Sequence, residues 1–138
     1  MNISMDWKGG LKFAGISRFG HAISTDGSKQ AGGNEDGYQP LELLLFGLAG
    51  CTGIDVLLIA QKMKQEITGL KINIEAEQKE DYPRFITKAH VEYAFTGRSL
   101  NPEMLNKAIT LSQEKYCSVG TTLAGVTKIT HSVKINEA

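Results

Sequence analysis

The stretch PLELLLFGLAGCTGIDVLLIAQK, residues 40–62, is almost entirely apolar. Pro40 suits the first turn of a helix, and the apolar residues after it are too continuous for a surface helix with a single apolar stripe. The stretch also carries Glu42, Cys51 and Asp55. We therefore predict a long, buried central helix, covered on most sides, that bears one thiol and two carboxylates.

A helix of this length could also cross a bilayer, since about 20 apolar residues span the hydrocarbon. Glu42 and Asp55 would be costly there, and no cluster of basic residues precedes the helix. The N-terminal sequence MNISMDWKGG lacks the apolar segment of a secretory signal. We predict a cytoplasmic protein with no membrane partner.

Length and charge restrict the classes of partner. The 138 residues fit one domain, which is predicted to span residues 1–138. Lysine plus arginine number 15, as do aspartate plus glutamate. Because the charges balance, no general attraction to nucleic acid is expected, and the partners are predicted to be small molecules or proteins.

Alternating apolar and polar residues indicate strands on both sides of the helix. Three short strands are predicted before it, the third over about 21–25, and two strands after it, over 71–79 and 85–95. Gly69 is expected to end the central helix.

A second helix is predicted after the strand pair. Asn101 is its predicted cap, and its buried stripe comprises Met104, Leu105, Ala108, Ile109 and Leu111. Ser118 is expected to cap a further helical turn, and a last strand closes the chain. The order is β-β-β-α-β-β-α-β, which predicts an α+β fold.

Three glycines of the central helix, Gly47, Gly50 and Gly53, each cost roughly 1 kcal/mol relative to alanine. Something is therefore expected to approach the helix closely, either a neighbouring element or a substrate. At about 100° per residue, Asp55 lies ~40° from Cys51 and shares its face, whereas Glu42 lies ~180° away.

The two cysteines, Cys51 and Cys117, have two explanations. A free cysteine is often a buried packing residue, and a reducing cytosol favours neither a disulfide framework nor, with two thiols, a four-ligand metal site. Alternatively, the pair could act on peroxides, where a thiolate attacks the O–O bond and a second thiol condenses with the resulting sulfenic acid.

A peroxide-reducing thiolate needs a nearby cation. Arg18 is the leading candidate because it sits at a predicted turn between two strands, and Arg84 and Arg98 beside other turns are rivals. The three histidines show no metal-ligand spacing, so neither a metal nor another cofactor is predicted.

Three segments taken together resemble the OsmC/Ohr family of hydroperoxide-reducing proteins. They are RFGHAISTDG (18–27), PLELLLFGLAGC (40–51) and EKYCSV (114–119). The resemblance runs in order along nearly the whole chain. It implies an intertwined homodimer with two active sites at the interface, and a role in oxidative-stress defence.

Carried over residue by residue, the resemblance implies a peroxidatic role for Cys51 and a resolving role for Cys117. Arg18 matches the arginine that contacts the reactive thiol. The implied substrates are organic hydroperoxides. An external dithiol such as dihydrolipoamide is expected as the reductant, with no bound cofactor.

Two departures from the family pattern point to its YhfA-like branch. Leu41 stands where a glutamate pairs with the arginine in the better-known branch, with the carboxylate displaced to Glu42, and Ser118 stands where proline is usual. Glu42 and Asp55 are both candidate supporting residues. Asp55 either pairs with a cation such as Arg18 or marks weak catalysis.

Three functions are therefore compared. The first is the peroxidase described above. The second is a non-catalytic module of the same fold that holds a small hydrophobic ligand, with the cysteines lining its pocket. The third is a thiol–disulfide reductase, against which the absence of a Cys-X-X-Cys motif argues.

Overall fold

The computed structural model describes residues 1–138 and has the predicted α+β architecture. Three short strands precede the long helix, and the second sheet and the remaining helices follow it. The elements are β1 (Asp6–Trp7), β2 (Phe13–Ile16), β3 (Ala22–Thr25), α1 (Pro40–Lys62), β4 (Glu66–Gln78), β5 (Ile86–Arg98), α2 (Pro102–Leu111), a π-helical turn (Ser112–Tyr116), α3 (Ser118–Leu123) and β6 (Lys128–Glu137).

The chain divides into two compact units, residues 1–44 and 45–138. In the first, β1, β2 and β3 form an antiparallel sheet. The loop after β3 is organised by the buried Asp26, whose carboxylate accepts the backbone N–H groups of Gly27, Asn34 and Asp36. These donors, Asp36 foremost, hold the pKa of Asp26 below its ordinary value. The single domain over residues 1–138 stays a prediction.

In the second unit, β5 is the central strand, antiparallel to β4 and parallel to β6. A parallel pair needs a crossover connection, which α2, the π-helical turn and α3 provide. The core of this unit is made by side chains of β5 and α2 that are almost fully buried. They are Val91, Tyr93, Phe95, Leu105, Ala108 and Ile109.

Helix α1 ends seven residues before Gly69, which corrects one prediction. Lys64 has a left-handed backbone, with φ of 63°, and breaks the helix instead. Gly69 lies inside β4, at an irregularity of its pairing with β5. A glycine in a strand often marks such a site, and sequence alone does not separate it from a helix end.

Helix α2 begins as predicted, because the Asn101 side chain accepts the N–H groups of Glu103 and Met104. Its predicted stripe is buried at Leu105, Ala108 and Ile109. Met104, in contrast, is 37% exposed, so its predicted burial is wrong. It sits at the edge of the stripe, in the first turn of the helix.

Within a single chain, α1 is covered on one side only, which corrects the prediction that it is covered on most sides. Its buried face comprises Leu48, Thr52, Gly53, Val56 and Ala60. A second stripe, at four-residue spacing, is exposed and consists of Phe46, Gly50, Ile54 and Leu58. By length and composition α1 also qualifies as a membrane span, as core helices of soluble proteins do.

The predicted close approach to the helix glycines occurs at one of the three, Gly53. A Cβ at Gly53 would lie 3.0 Å from Cδ1 of Ile72 on β4, so the sheet packs directly on this position. A Cβ at Gly47 would lie 3.9 Å from the methyl groups of Val119 on α3. Gly50 faces open space, with nothing within 4 Å.

Candidate active site

Cys51, Asp55 and Cys117 meet in the second unit. One ligand-type atom of each residue, the two Sγ atoms and a carboxylate oxygen, lies within 4.8 Å of the others. Cys51 and Asp55 share a face of α1 because they are one helical turn apart. Cys51 is partly exposed, whereas Cys117 is only 2% exposed.

The π-helical turn brings Cys117 to this position. The backbone N–H of Cys117 donates to the carbonyl of Ser112 at 2.7 Å, five residues back, so the turn is one residue wider than an α-helical turn. Cys117 then adopts an extended backbone, with φ of −73° and ψ of 100°, which ends the turn before α3 begins.

The Cys117 thiol also caps α3. Its Sγ accepts the N–H of Gly120 at 3.3 Å, and the Cys117 side chain, not Ser118 as predicted, is the capping group. A Cβ at Gly120 would lie 3.2 Å from this sulfur. Glycine therefore allows the helix backbone to come within reach of the thiol.

Burial raises the pKa of Cys117 to about 11. The Gly120 N–H opposes this by favouring the thiolate, while the neighbouring Cys51 thiol and the Asp55 carboxylate add to it. At neutral pH Cys117 is therefore a protonated thiol. It becomes a nucleophile only when a base or a reaction partner takes its proton.

A chain of hydroxyl groups anchors Asp55 to the core. The Tyr93 hydroxyl and Oγ1 of Thr52 are 2.7 Å apart, and Oγ1 of Thr52 is 2.9 Å from Oγ of Ser112. Ser112 in turn donates to Oδ2 of Asp55 at 3.1 Å. Burial raises the pKa of Tyr93, so its phenol stays protonated.

This network decides how Asp55 is held in its own unit. The Asp55 carboxylate accepts a hydrogen bond from Ser112. None of the lysines or arginines of residues 45–138 forms an ion pair with Asp55. Arg84 lies over the Tyr82 ring instead, at 6.0 Å. Sequence reasoning missed Thr52, Tyr93 and Ser112, although a threonine beside Cys51 in so apolar a helix was a signal.

A cavity of about 400 Å³ adjoins the Cys117 thiol. Its walls are mainly apolar, with Leu48, Val91 and Ile129 among them, and Cys117 is part of the lining. Gln113 also lines it, and its buried side-chain nitrogen lies near the Tyr93 hydroxyl, where it opposes the burial that raises the pKa of Tyr93, without a partner at hydrogen-bond distance. An unpaired buried donor beside an apolar space suits a ligand that carries one acceptor atom.

The other two predicted site residues belong to the first unit. Arg18 is exposed, with its guanidinium 4.6 Å from the centre of the Phe19 ring. The Glu42 carboxylate accepts the backbone N–H of Gln39 at 3.0 Å and so closes the start of α1. Support of the thiol by either residue stays a prediction.

Comparison with known proteins leads to the same family as the sequence motifs. Residues 32–132 match the family described as OsmC-like protein. The chain belongs to the OsmC-like family. Protein YhfA of Escherichia coli (strain K12) is 35% identical over 135 residues, which is 98% of each chain. The predicted family and its YhfA-like branch are thereby confirmed.

Two solved structures share the OsmC-like fold of this chain. A hypothetical protein from Aquifex aeolicus VF5 has a TM-score of 0.87 and 26% identity, over 99% of this chain and 96% of that one. An organic hydroperoxide resistance protein OsmC from Legionella pneumophila has a TM-score of 0.70 and 16% identity, over 97% of each chain. Because that identity is low, the likeness to the Legionella pneumophila protein shows a shared fold only.

The hydroxyl network predicts an effect on stability. Replacing Tyr93 by phenylalanine removes the buried hydroxyl that bonds to Thr52, so the free energy of unfolding should fall by about 1–2 kcal/mol. Urea denaturation followed by circular dichroism measures it. Tyr82→Phe, the same change at an exposed residue, is the control and should stay within about 0.5 kcal/mol. Equal effects of the two substitutions would contradict the network.

The raised pKa of Cys117 predicts the pH dependence of its alkylation. Because the thiolate is the reactive form, the rate of iodoacetamide labelling of Cys117 should rise about tenfold for each pH unit from pH 7 to pH 9.5. Peptide mass spectrometry measures this rate. In denaturant the rate for the same peptide should be half-maximal near pH 8.5 and level off above that pH. A native rate that is half-maximal at or below pH 8.5 would contradict the raised pKa.

Proposed function

We propose that this OsmC-like protein is a cytoplasmic thiol-dependent peroxidase that reduces organic hydroperoxides in oxidative-stress defence. The observation that carries the proposal is the meeting of Cys51 and Cys117, whose sulfurs lie within 4.8 Å of each other. The Legionella pneumophila protein of the same fold is named for organic hydroperoxide resistance, which supports the substrate class.

The exposure of the two thiols supports an order in which Cys51 reacts before Cys117. Cys51 is partly exposed and is the sulfur that a hydroperoxide reaches first. Cys117 is buried, and its raised pKa keeps it protonated and unreactive until a sulfenic acid forms beside it. We therefore assign Cys51 as the nucleophile and Cys117 as the resolving thiol.

The reaction has two balanced steps. The Cys51 thiolate attacks the O–O bond of a hydroperoxide, takes one oxygen as sulfenic acid and, with one proton, releases an alcohol. Cys117 then attacks the Cys51 sulfur, and water leaves as the disulfide forms. A disulfide needs sulfurs about 2.0 Å apart, so side-chain rotation or a small backbone shift closes the remaining gap.

Charge near Cys51 affects the first step. A carboxylate oxygen of Asp55 lies within 4.8 Å of the Cys51 sulfur, and Oδ2 of Asp55 accepts a hydrogen bond from Ser112. Asp55 acts as a positioning residue that ties α1 to the π-helical turn. Arg18 is proposed as the cation that supports the thiolate, as its match to the family motif implies.

Two further parts of the proposal, an external reductant and a homodimer, are supported by features of the chain. The protein has two cysteines, and both are consumed in the disulfide, so an external dithiol must return it to the reduced state. The exposed stripe of α1 is apolar, which supports a homodimer in which a second copy covers it. No bound cofactor is needed for either step.

The cavity beside Cys117 favours a second candidate function. Its apolar walls and the unpaired Gln113 nitrogen fit a small hydrophobic ligand with one acceptor atom. In that case the cysteines would line a binding site, and ligand retention would not depend on them. Retention of one ligand by a Cys51→Ser, Cys117→Ser double variant, without peroxide consumption by the native chain, would favour this candidate.

Peroxide consumption by single variants tests the peroxidase proposal. With cumene hydroperoxide and dihydrolipoamide, the native protein should turn over repeatedly, and Cys51→Ser should consume no peroxide. Cys117→Ser should form the sulfenic acid once and then over-oxidise, because no resolving thiol remains. A colorimetric peroxide assay and intact mass measure both. Equal activity of Cys51→Ser and the native protein would contradict the assignment.

A further inference from the structure

The site combines three metal-ligand groups that the peroxidase reaction does not need as a set. Cys51 and Asp55 lie at positions i and i+4 of α1, the spacing at which one helix presents two ligands to one ion. Cys117 adds a second sulfur from the end of the π-helical turn. All three donor atoms lie within 4.8 Å of one another.

We propose that the reduced protein binds one zinc ion through Cys51, Cys117 and Asp55. Zinc–sulfur bonds are about 2.3 Å and zinc–oxygen bonds about 2.0–2.2 Å, so donors around a tetrahedral zinc lie roughly 3.5–3.8 Å apart. The donor atoms, now within 4.8 Å of one another, need to close by at most about 1.3 Å, which is within the reach of side-chain rotation. Three protein ligands leave a fourth position for water or an exogenous ligand.

The donor types select among divalent ions. Two thiolates are soft ligands that magnesium and calcium bind poorly, because those ions prefer sets made only of oxygen. A carboxylate beside two sulfurs suits zinc, which accepts both kinds of donor. The ion would also supply positive charge to a site where Asp55 has no ion-pair partner within its own unit.

The hydroxyl network provides the supporting shell that such a site requires. Ser112 donates to Oδ2 of Asp55 and is itself held by Thr52, which is bonded to Tyr93. This fixes the carboxylate through one oxygen and leaves Oδ1 without a hydrogen bond, available to an ion. Partners of this kind orient metal ligands and raise their affinity.

Zinc binding and peroxide reduction exclude each other, because both use the sulfurs of Cys51 and Cys117. Zinc binding releases two protons, one from each thiol, and uses both thiolates as ligands. Disulfide formation removes two of the three ligands and must therefore release the ion. The zinc-bound protein would be a resting state, protected from oxidation. Zinc binding needs only the reduced thiols and does not require the peroxidase activity.

Cobalt substitution tests the site directly. The full-length reduced protein, stripped with a chelator, is titrated anaerobically with Co²⁺, and zinc affinity is then measured by competition with a chromophoric chelator. We expect one ion per chain and a thiolate-to-cobalt charge-transfer absorption. Asp55→Asn should weaken zinc binding at least tenfold. Asp81→Asn, at an exposed turn, is the matched control and should have no effect.

Three results would overturn the proposal, with circular dichroism used to verify that each variant is folded. They are retention of zinc affinity by the Cys51→Ser, Cys117→Ser double variant, unchanged affinity of Asp55→Asn, and no binding at micromolar zinc. Preformed disulfide protein should bind none. Because no peroxide is present, failure here leaves the peroxidase proposal standing, and an inactive peroxidase can still bind zinc.

Discussion

The hydrogen bond between Thr52 and Ser112, 2.9 Å long and fully buried, is the constraint on which the site depends. Thr52 follows Cys51 on α1, and Ser112 accepts the N–H of Cys117 through its carbonyl oxygen. The bond therefore fixes the helix to the turn at the two places that carry the thiols. A buried hydroxyl pair has no water to replace it, so losing one member leaves the other unsatisfied.

This constraint explains the asymmetry of the two thiols. The turn that Ser112 begins places Cys117 under α3, where it caps the helix and is shielded from water. Cys51, on the helix, keeps access to solvent. A partly exposed thiol beside a buried one suits the proposed reaction, which must first meet an outside oxidant and then stop at a disulfide. A metal ion bound by both sulfurs would need them equally close together.

Sequence predicted the features that depend on local pattern. The apolar run from Pro40, the Asn101 cap and the shared face of Cys51 and Asp55 follow from helical periodicity and capping chemistry. Prediction from sequence failed where long-range packing determines the structure. Gly69, for example, lies in a strand. The partner of Asp55 also escaped prediction, because Ser112 lies 57 residues away in the sequence and meets Asp55 only through tertiary packing.

The most direct measurement maps the cysteines after exposure of the native, reduced protein to one equivalent of cumene hydroperoxide. Peptide mass spectrometry without reduction then identifies their products. If Cys51 is the nucleophile and Cys117 the resolving thiol, one Cys51–Cys117 disulfide forms within the chain, with no added oxygen on either sulfur. Recovery of both cysteines as free thiols, or of Cys51 as sulfinic acid beside an unmodified Cys117, would contradict these roles.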